Sequence, residues 1–343
     1  MKSISRWLAL GAVLALMAAA CDVPDPQVVD LVRLDWGDSV RPNHRDVAYG
    51  PERGCASGSD EPCGGSQELD IYRVRAGGNR GTLVYIHGGG FAAGDKYPLT
   101  NLGNLKRQLH RGYSIVSINH RLANALFDAD GEFVVEWKGP LPWPFVQTDG
   151  SNNFPDAMTD VASALEWVRR EGPRYGLSTN RIVVAGFSNA GAMAALAGTG
   201  ANSTDPVLST MPPVNGWVSI AGPLDWDVFP DGNHWGEVWM GDDWPAQKER
   251  SNPINYYDEA DPPGYLLYGS RDVLVPVANA EAYRRRAKQL GDLAEAKVAV
   301  DIVDRLADGR PMTATNTGHL DPRFHVPTGG MNATFFDLWL DDR

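Results

Sequence analysis

The sequence predicts an α/β protein: a mostly parallel central sheet with helices on both faces and two loop insertions above it. Three observations carry this. Short continuous apolar runs at residues 82–86, 113–119, 182–185, 217–221 and 264–268 read as strands buried on both faces. Segments with apolar residues at helical spacing alternate with them, which is the signature of parallel strands joined by crossover helices. Two glycine-bearing turns, His87-Gly88-Gly89-Gly90 and Gly186-Phe187-Ser188-Asn189-Ala190-Gly191, each follow directly on such a run.

Taken in order, residues 1–20 read as an export leader. Lys2 and Arg6 open it, an apolar run covers 7–17, and Ala18-Ala19-Ala20 forms a small-residue cleavage site. The run is shorter than the roughly 20 residues a membrane-spanning helix needs. Cys21 follows at once, so the segment resembles a bacterial lipoprotein signal in which Cys21 becomes the lipidated first residue. The expected location is the cell envelope, or the periplasm or medium if the leader is simply cleaved. Residues 21–46 read as a Pro/Asp-containing tether and 47–343 as a single domain. Within it, strands at 47–49 and 69–74 suggest a hairpin. A helix is expected at 102–111 and another at 153–170, where Ala157, Val161, Leu165 and Val168 recur at helical spacing. A further helix is expected at 278–290, a strand at 296–303 and a closing helix at 333–340. Insertions at 124–153 and 223–252 interrupt the alternation. They hold Trp137, Trp143, Trp226, Trp235, Trp239 and Trp244, six of the eleven tryptophans. Long connections of this kind are uncommon unless functional.

The formal charge of −12 becomes more negative once Lys2 and Arg6 are gone, and there is no block of basic residues. Nucleic acid is therefore not an expected partner, and a membrane is expected only through the lipid on Cys21. Cys55 and Cys63 lie in a loop rich in Gly, Ser and Pro, and in an oxidising compartment two such cysteines are expected to pair. No histidine or further cysteine has ligand spacing to them, so no metal is expected.

The two glycine turns, in this order and each at a strand end, resemble the α/β-hydrolase superfamily, and more narrowly its HGGG-type esterase and lipase group. That group includes hormone-sensitive-lipase-like and carbohydrate-ester esterases. Lesser stretches agree: Leu69-Asp70-Ile71-Tyr72, Asn119-His120-Arg121-Leu122-Ala123 with His120 where Tyr is usual, Phe154-Pro155-Asp156-Ala157 with Asp160, and Ser251-Asn252-Pro253-Ile254. The chain departs from the pattern at Ala190, where the group usually has Gly, and at Asn189, often Ala in relatives.

The resemblance implies a serine carboxylic-ester hydrolase. Ser188, on a sharp strand-to-helix turn, is the expected nucleophile. A serine hydroxyl needs a base in hydrogen-bond reach, and the base needs an orienting carboxylate. In this fold the order along the chain is Ser, acid, His. Gly269-Ser270-Arg271-Asp272-Val273-Leu274-Val275-Pro276 looks like the acid turn, which makes Asp272 the acid; Asp301 and Asp304 are weaker candidates. His319 stands where the family puts its base, with His325 as the rival, while His234 precedes the acid. Backbone N–H groups of Gly89, Gly90 and Asn189 are the implied oxyanion donors, and His87 is expected to hold that loop. Phe91, Trp143 and Trp235 are expected to wall the pocket. The expected substrates are short-chain or aromatic acyl esters, small or carbohydrate-borne, with no cofactor. A polysaccharide deacetylase or feruloyl-type esterase is the nearest alternative. An inactive binding module on the same fold is the alternative of another class.

Overall fold

The computed structural model describes residues 42–52, 67–74, 80–92, 94–97, 108–109, 112–123, 154–229, 235–240, 244–304 and 319. The leader, Cys21, Cys55, Cys63, the whole first insertion with Trp137 and Trp143, the helix expected at 102–111 apart from 108–109, the helix expected at 333–340 and the rivals His234 and His325 lie outside the described residues.

Among the described residues eight strands form one sheet. They are β1 (His44–Ala48), β2 (Glu68–Tyr72), β3 (Gly81–Ile86), β4 (Tyr113–Ile118), β5 (Ile182–Phe187), β6 (Gly216–Ile220), β7 (Gly264–Gly269) and β8 (Val298–Val303). Their spatial order is β1-β2-β4-β3-β5-β6-β7-β8. β1 and β2 pair antiparallel, as does β2 with β4, and every later pair is parallel. The N-terminal hairpin expected from sequence is thus an antiparallel extension of a parallel sheet. β1 begins at His44, inside the segment read as tether. The register slips between His44 and Val47, and Asp46 is left-handed (φ 54°), so this strand carries no clean alternation to read.

β3 and β5 are buried along their whole lengths. Their side chains divide between two apolar layers. Val84, Ile86, Ile182 and Val184 enter one, and Leu83, Tyr85, Val183, Ala185 and Phe187 the other. Each fully buried residue of this size contributes about 1.5–3 kcal/mol. Helices α1 (Phe154–Glu171) and α2 (Asn189–Thr199) cover the first layer. In α1 the four residues at helical spacing, Ala157, Val161, Leu165 and Val168, are all buried. In α2 every residue is buried, and its small side chains let it lie close on the sheet. A Cβ at Gly198 would come within 2.3 Å of Trp217, which is why that position is glycine.

Two short helices, α3 (Trp235–Met240) and α4 (Trp244–Gln247), rise from the second insertion; α5 (Ala278–Leu290) and α6 (Asp292–Ala296) follow β7. The stem of the insertion is closed by side-chain acceptors. Asn279 Oδ1 accepts the N–H groups of Leu224 and Asp225, and Asn252 Oδ1 accepts that of Trp226.

From β3 the chain passes to β4 on one side and then to β5 on the other, so the direction of winding reverses between β3 and β5. In open α/β sheets, ligands bind outside the carboxyl ends of the strands at such a reversal. The turns after β3 and β5 both open there.

Candidate active site

The turn after β5 is fixed by close packing. Ser188 has φ 56° and ψ −130°, a strained conformation for a residue with a Cβ. It is held by two backbone bonds: Ser188 N–H to Ile220 C=O (2.8 Å), and Gly191 N–H to Ser188 C=O (2.8 Å). A Cβ on Gly186 would stand 2.0 Å from the carbonyl oxygen of Ala190, and one on Gly191 would stand 2.6 Å from Ser219 Oγ and from Gly222 Cα. Those are the positions where no side chain fits. Ala190 is fully buried in the apolar core, so the departure noted in the sequence is accommodated: its methyl packs while its carbonyl forms the contact.

Asp272 stands just past the end of β7. Its Oδ1 accepts the N–H groups of Leu274 and Val275 at 2.9 and 3.0 Å, which fixes the carboxylate in a short turn. Its Oδ2 lies 2.6 Å from His319 Nδ1. The other ring nitrogen, Nε2, lies 3.0 Å from Ser188 Oγ. The ring is buried against Phe187, with centroids 5.3 Å apart. A carboxylate at Nδ1 puts the proton there, leaving Nε2 as the acceptor for the serine O–H. Three side chains from 188, 272 and 319, far apart in sequence, are thereby brought into one hydrogen-bonded line.

The loop after β3 packs directly against this serine. A Cβ on Gly88 would come within 2.9 Å of the Phe187 carbonyl and 3.3 Å of Ser188 Cβ. Gly89 and Gly90 have φ of 144° and 62°, conformations that exclude most side chains. Asn189 is the first residue of α2, where backbone N–H groups have no partner inside the helix. Its side-chain amide is buried, and neither its oxygen nor its nitrogen has a hydrogen-bond partner. Nothing in the sequence signalled that.

Phe91 corrects an expectation. It is only 2% exposed and stacks on Trp239 at 4.3 Å, so its ring belongs to the core rather than to an open pocket wall. The cause is its backbone: at φ 69° the side chain turns inward. A bulky residue held there costs about 1–3 kcal/mol, against about 0.5–1.5 kcal/mol from the aromatic stack and a bond from Ala123 N–H to its carbonyl (2.8 Å). Trp235 is half-buried, and a Cβ on Gly90 would come 2.7 Å from its ring.

Beneath the loop, His87 and His120 stack with centroids 4.8 Å apart and ring planes 17° apart. His87 Nδ1 bonds the Gly88 carbonyl and His120 Nδ1 that of Arg121, while both Nε2 atoms are buried without a partner. Burial, and then repulsion from His120, lowers the His87 pKa to about 3; burial lowers that of His120 as well. Both rings are neutral at ordinary pH. His87 therefore acts on the loop as a neutral donor to its backbone. Arg121 meets Asp160 through Nε and Nη2, and Asp160 also accepts the Arg121 N–H and Gln67 Nε2–H. This fully buried carboxylate ties the N-terminal hairpin to α1 behind the site.

Among the described residues no group of three or more His, Cys, Asp or Glu is placed to hold a metal, and no helix is long and apolar enough to cross a membrane.

The BD-FAE family profile matches residues 69–130 and 146–286. Esterase LipQ of Mycobacterium tuberculosis (strain ATCC 25618 / H37Rv) is 27% identical over 323 residues, covering 84% of this chain and 69% of the relative. Esterase LipC of the same organism is 25% identical over 246 residues, covering 67% of this chain; the chain spans 53% of that relative's length. Among solved structures, a truncated form of a carbohydrate esterase from gut microbiota superposes with a TM-score of 0.57 at 20% identity, over 82% of this chain and 91% of that one.

Proposed function

The chain belongs to the BD-FAE family and is a carboxylesterase-type hydrolase, and on that premise we propose that it cleaves esters through Ser188, His319 and Asp272 by way of an acyl-enzyme. Ser188 Oγ attacks the ester carbonyl carbon as its proton passes to His319 Nε2. The carbonyl π pair moves onto oxygen, and the oxyanion is met by the N–H groups of Gly89, Gly90 and Asn189. Collapse expels the alkoxide, which takes the proton from His319 and leaves as the alcohol. Water then adds to the acyl-enzyme, giving its proton to His319, and a second collapse returns that proton to Ser188 and frees the acid. Asp272 keeps the imidazole oriented and stabilises its cationic form throughout. The observation that carries this reading is the line from Ser188 Oγ to His319 Nε2 (3.0 Å) and from His319 Nδ1 to Asp272 (2.6 Å).

The substrates are short-chain or aromatic acyl esters, for which the Trp-bearing insertion supplies flat walls. A carbohydrate-ester reading is favoured by one feature, the half-buried Trp235 ring beside Gly90, an aromatic of the kind on which sugar rings stack. p-Nitrophenyl esters from acetate to laurate, run beside acetylated xylan and methyl ferulate, test both. Falling kcat/KM beyond about six carbons supports the first reading, and faster release of acetate from xylan than from the free ester supports the second. Laurate exceeding butyrate overturns the chain-length limit. Export with a lipid on Cys21 and a Cys55–Cys63 bridge complete the proposal. Mass spectrometry of the membrane-derived protein tests them: residues 1–20 retained, or two free thiols at 55 and 63, refutes the respective part.

A further inference from the structure

We infer that α3 is a positioning clamp for the oxyanion loop, in which Trp239 acts through Phe91 on Gly90. This rests on reading the loop after β3 as the oxyanion loop. Trp235 and Trp239 stand one turn apart, on one face of the helix, and they meet consecutive loop residues. The Trp235 ring lies over Gly90, and the Trp239 ring stacks on Phe91 at 4.3 Å with planes 16° apart. On its other contacts Trp239 is held edge-on by Phe154 (5.1 Å, 90°) and is fully buried. The helix itself is pinned at its last residue: Met240 Sδ is 3.0 Å from Ser251 Oγ, which also accepts the Trp226 indole N–H at 3.1 Å.

Phe91 is the reason the clamp matters. It is held at φ 69°, where a bulky residue does not stay unless its surroundings require it. Without the Trp239 ring, Phe91 loses its closest aromatic partner, and the Ala123 N–H bond to its carbonyl is left to hold the strained angle against a return to negative φ. That rotation changes ψ of Gly90 through the peptide the two residues share, and the displaced Gly90 backbone carries its N–H off its aim. The loss falls on the charge that develops during reaction rather than on the bound ester. It therefore appears in kcat and not in KM, and equally for every acyl chain. A pocket wall behaves in the opposite way.

The test uses Trp239→Ala, Trp239→Phe, Phe91→Gly and the double variant Phe91→Gly/Trp239→Ala, each checked for fold by circular dichroism and thermal melting. kcat and KM are measured on p-nitrophenyl acetate, butyrate and hexanoate, with the inhibition constant of an aryl trifluoromethyl ketone, which adds to serine as an oxyanion. The expected result is a kcat loss of about tenfold or more with Trp239→Ala, alike on all three esters. KM should change by less than about twofold, and ketone affinity should weaken by the same factor as kcat/KM. Phe at 239 should restore most of the rate. Glycine at 91 adopts the left-handed conformation unaided, so adding Trp239→Ala to it should cost little more. A kcat unchanged in Trp239→Ala, a loss that varies with chain length through KM, or full additivity on Phe91→Gly overturns the clamp. Ser188→Ala separates this from the reading beneath it: activity that survives Ser188→Ala removes both, whereas loss there with no effect at 239 overturns the clamp alone. If Trp239→Ala does not fold, the cycle between Trp239→Phe and Phe91→Gly carries the same test on a smaller scale.

Discussion

Acid should weaken this protein through the histidine under the loop after β3, and His87→Asn should remove the effect. In the folded chain the His87 pKa is lowered to about 3 by burial and by His120, whereas an unfolded histidine titrates near 6.5. Between those values the unfolded chain binds a proton that the folded chain refuses. Stability is therefore lost as pH falls below about 6.5, at up to roughly 1.4 kcal/mol per pH unit. Taken to pH 5, His87 alone costs about 2 kcal/mol. His120 acts in the same direction. Asp70 and Asp261, whose pKa values are raised by burial, the latter to about 7, act oppositely because their folded forms take up protons first. The wild-type profile is thus a sum, and a variant is needed to isolate one group. Asn can keep a donor near the Nδ1 position that bonds the Gly88 carbonyl while removing the titrating ring. Urea unfolding at pH 8, 7, 6 and 5 should show wild type losing about 2 kcal/mol more than His87→Asn across that span. Equal pH dependence in the two proteins would refute the reasoning, whatever their absolute stabilities.

Three further outcomes follow from the packing. Asp160→Asn leaves the Arg121 guanidinium without its buried partner and should lower the unfolding free energy by about 3 kcal/mol or more, read from urea midpoints. Gly186→Ala forces a Cβ to 2.0 Å from the Ala190 carbonyl, so the serine turn must shift; kcat should fall about a hundredfold in protein that still folds, and near wild-type kcat would contradict the packing. Trp235→Ala should raise hexanoate and octanoate turnover relative to acetate, in contrast to the uniform loss expected at Trp239, and an unchanged chain-length profile would show that the ring does not face the acyl chain.

Much of this was legible in the sequence because the signals were local and strong. Continuous apolar runs became β3 to β7, and α1 and α5 lie within a residue of the expected segments. The strand-order reversal was not legible, since which strand neighbours which depends on pairing across long separations. Nor were α3 and α4, each under two turns, in an insertion where tryptophans mask any helical period. At the site, chain order and turn composition singled out Ser188, Asp272 and His319, which the fold brings within hydrogen-bond reach. Phe91 shows what sequence misses: a phenylalanine after three glycines reads as a pocket residue, but its side turns on one backbone angle that no neighbour in sequence reveals. The His87–His120 stack is the same case: the two residues lie just past the ends of adjacent parallel strands, and the pairing of Ile86 with Ile118 is what brings them near each other.

The central claim is that Ser188 is the nucleophile activated by His319 and Asp272. Its most direct measurement is labelling with a fluorophosphonate, with the modified residue located by mass spectrometry of a digest and the rate followed in wild type, His319→Ala and Asp272→Asn. One label per chain is expected, on Ser188, acquired at least about a hundredfold more slowly in both variants, with His319→Ala adding little to the loss of ester turnover already caused by Ser188→Ala. A label on another residue with Ser188 unmodified, or undiminished turnover in Ser188→Ala, contradicts it.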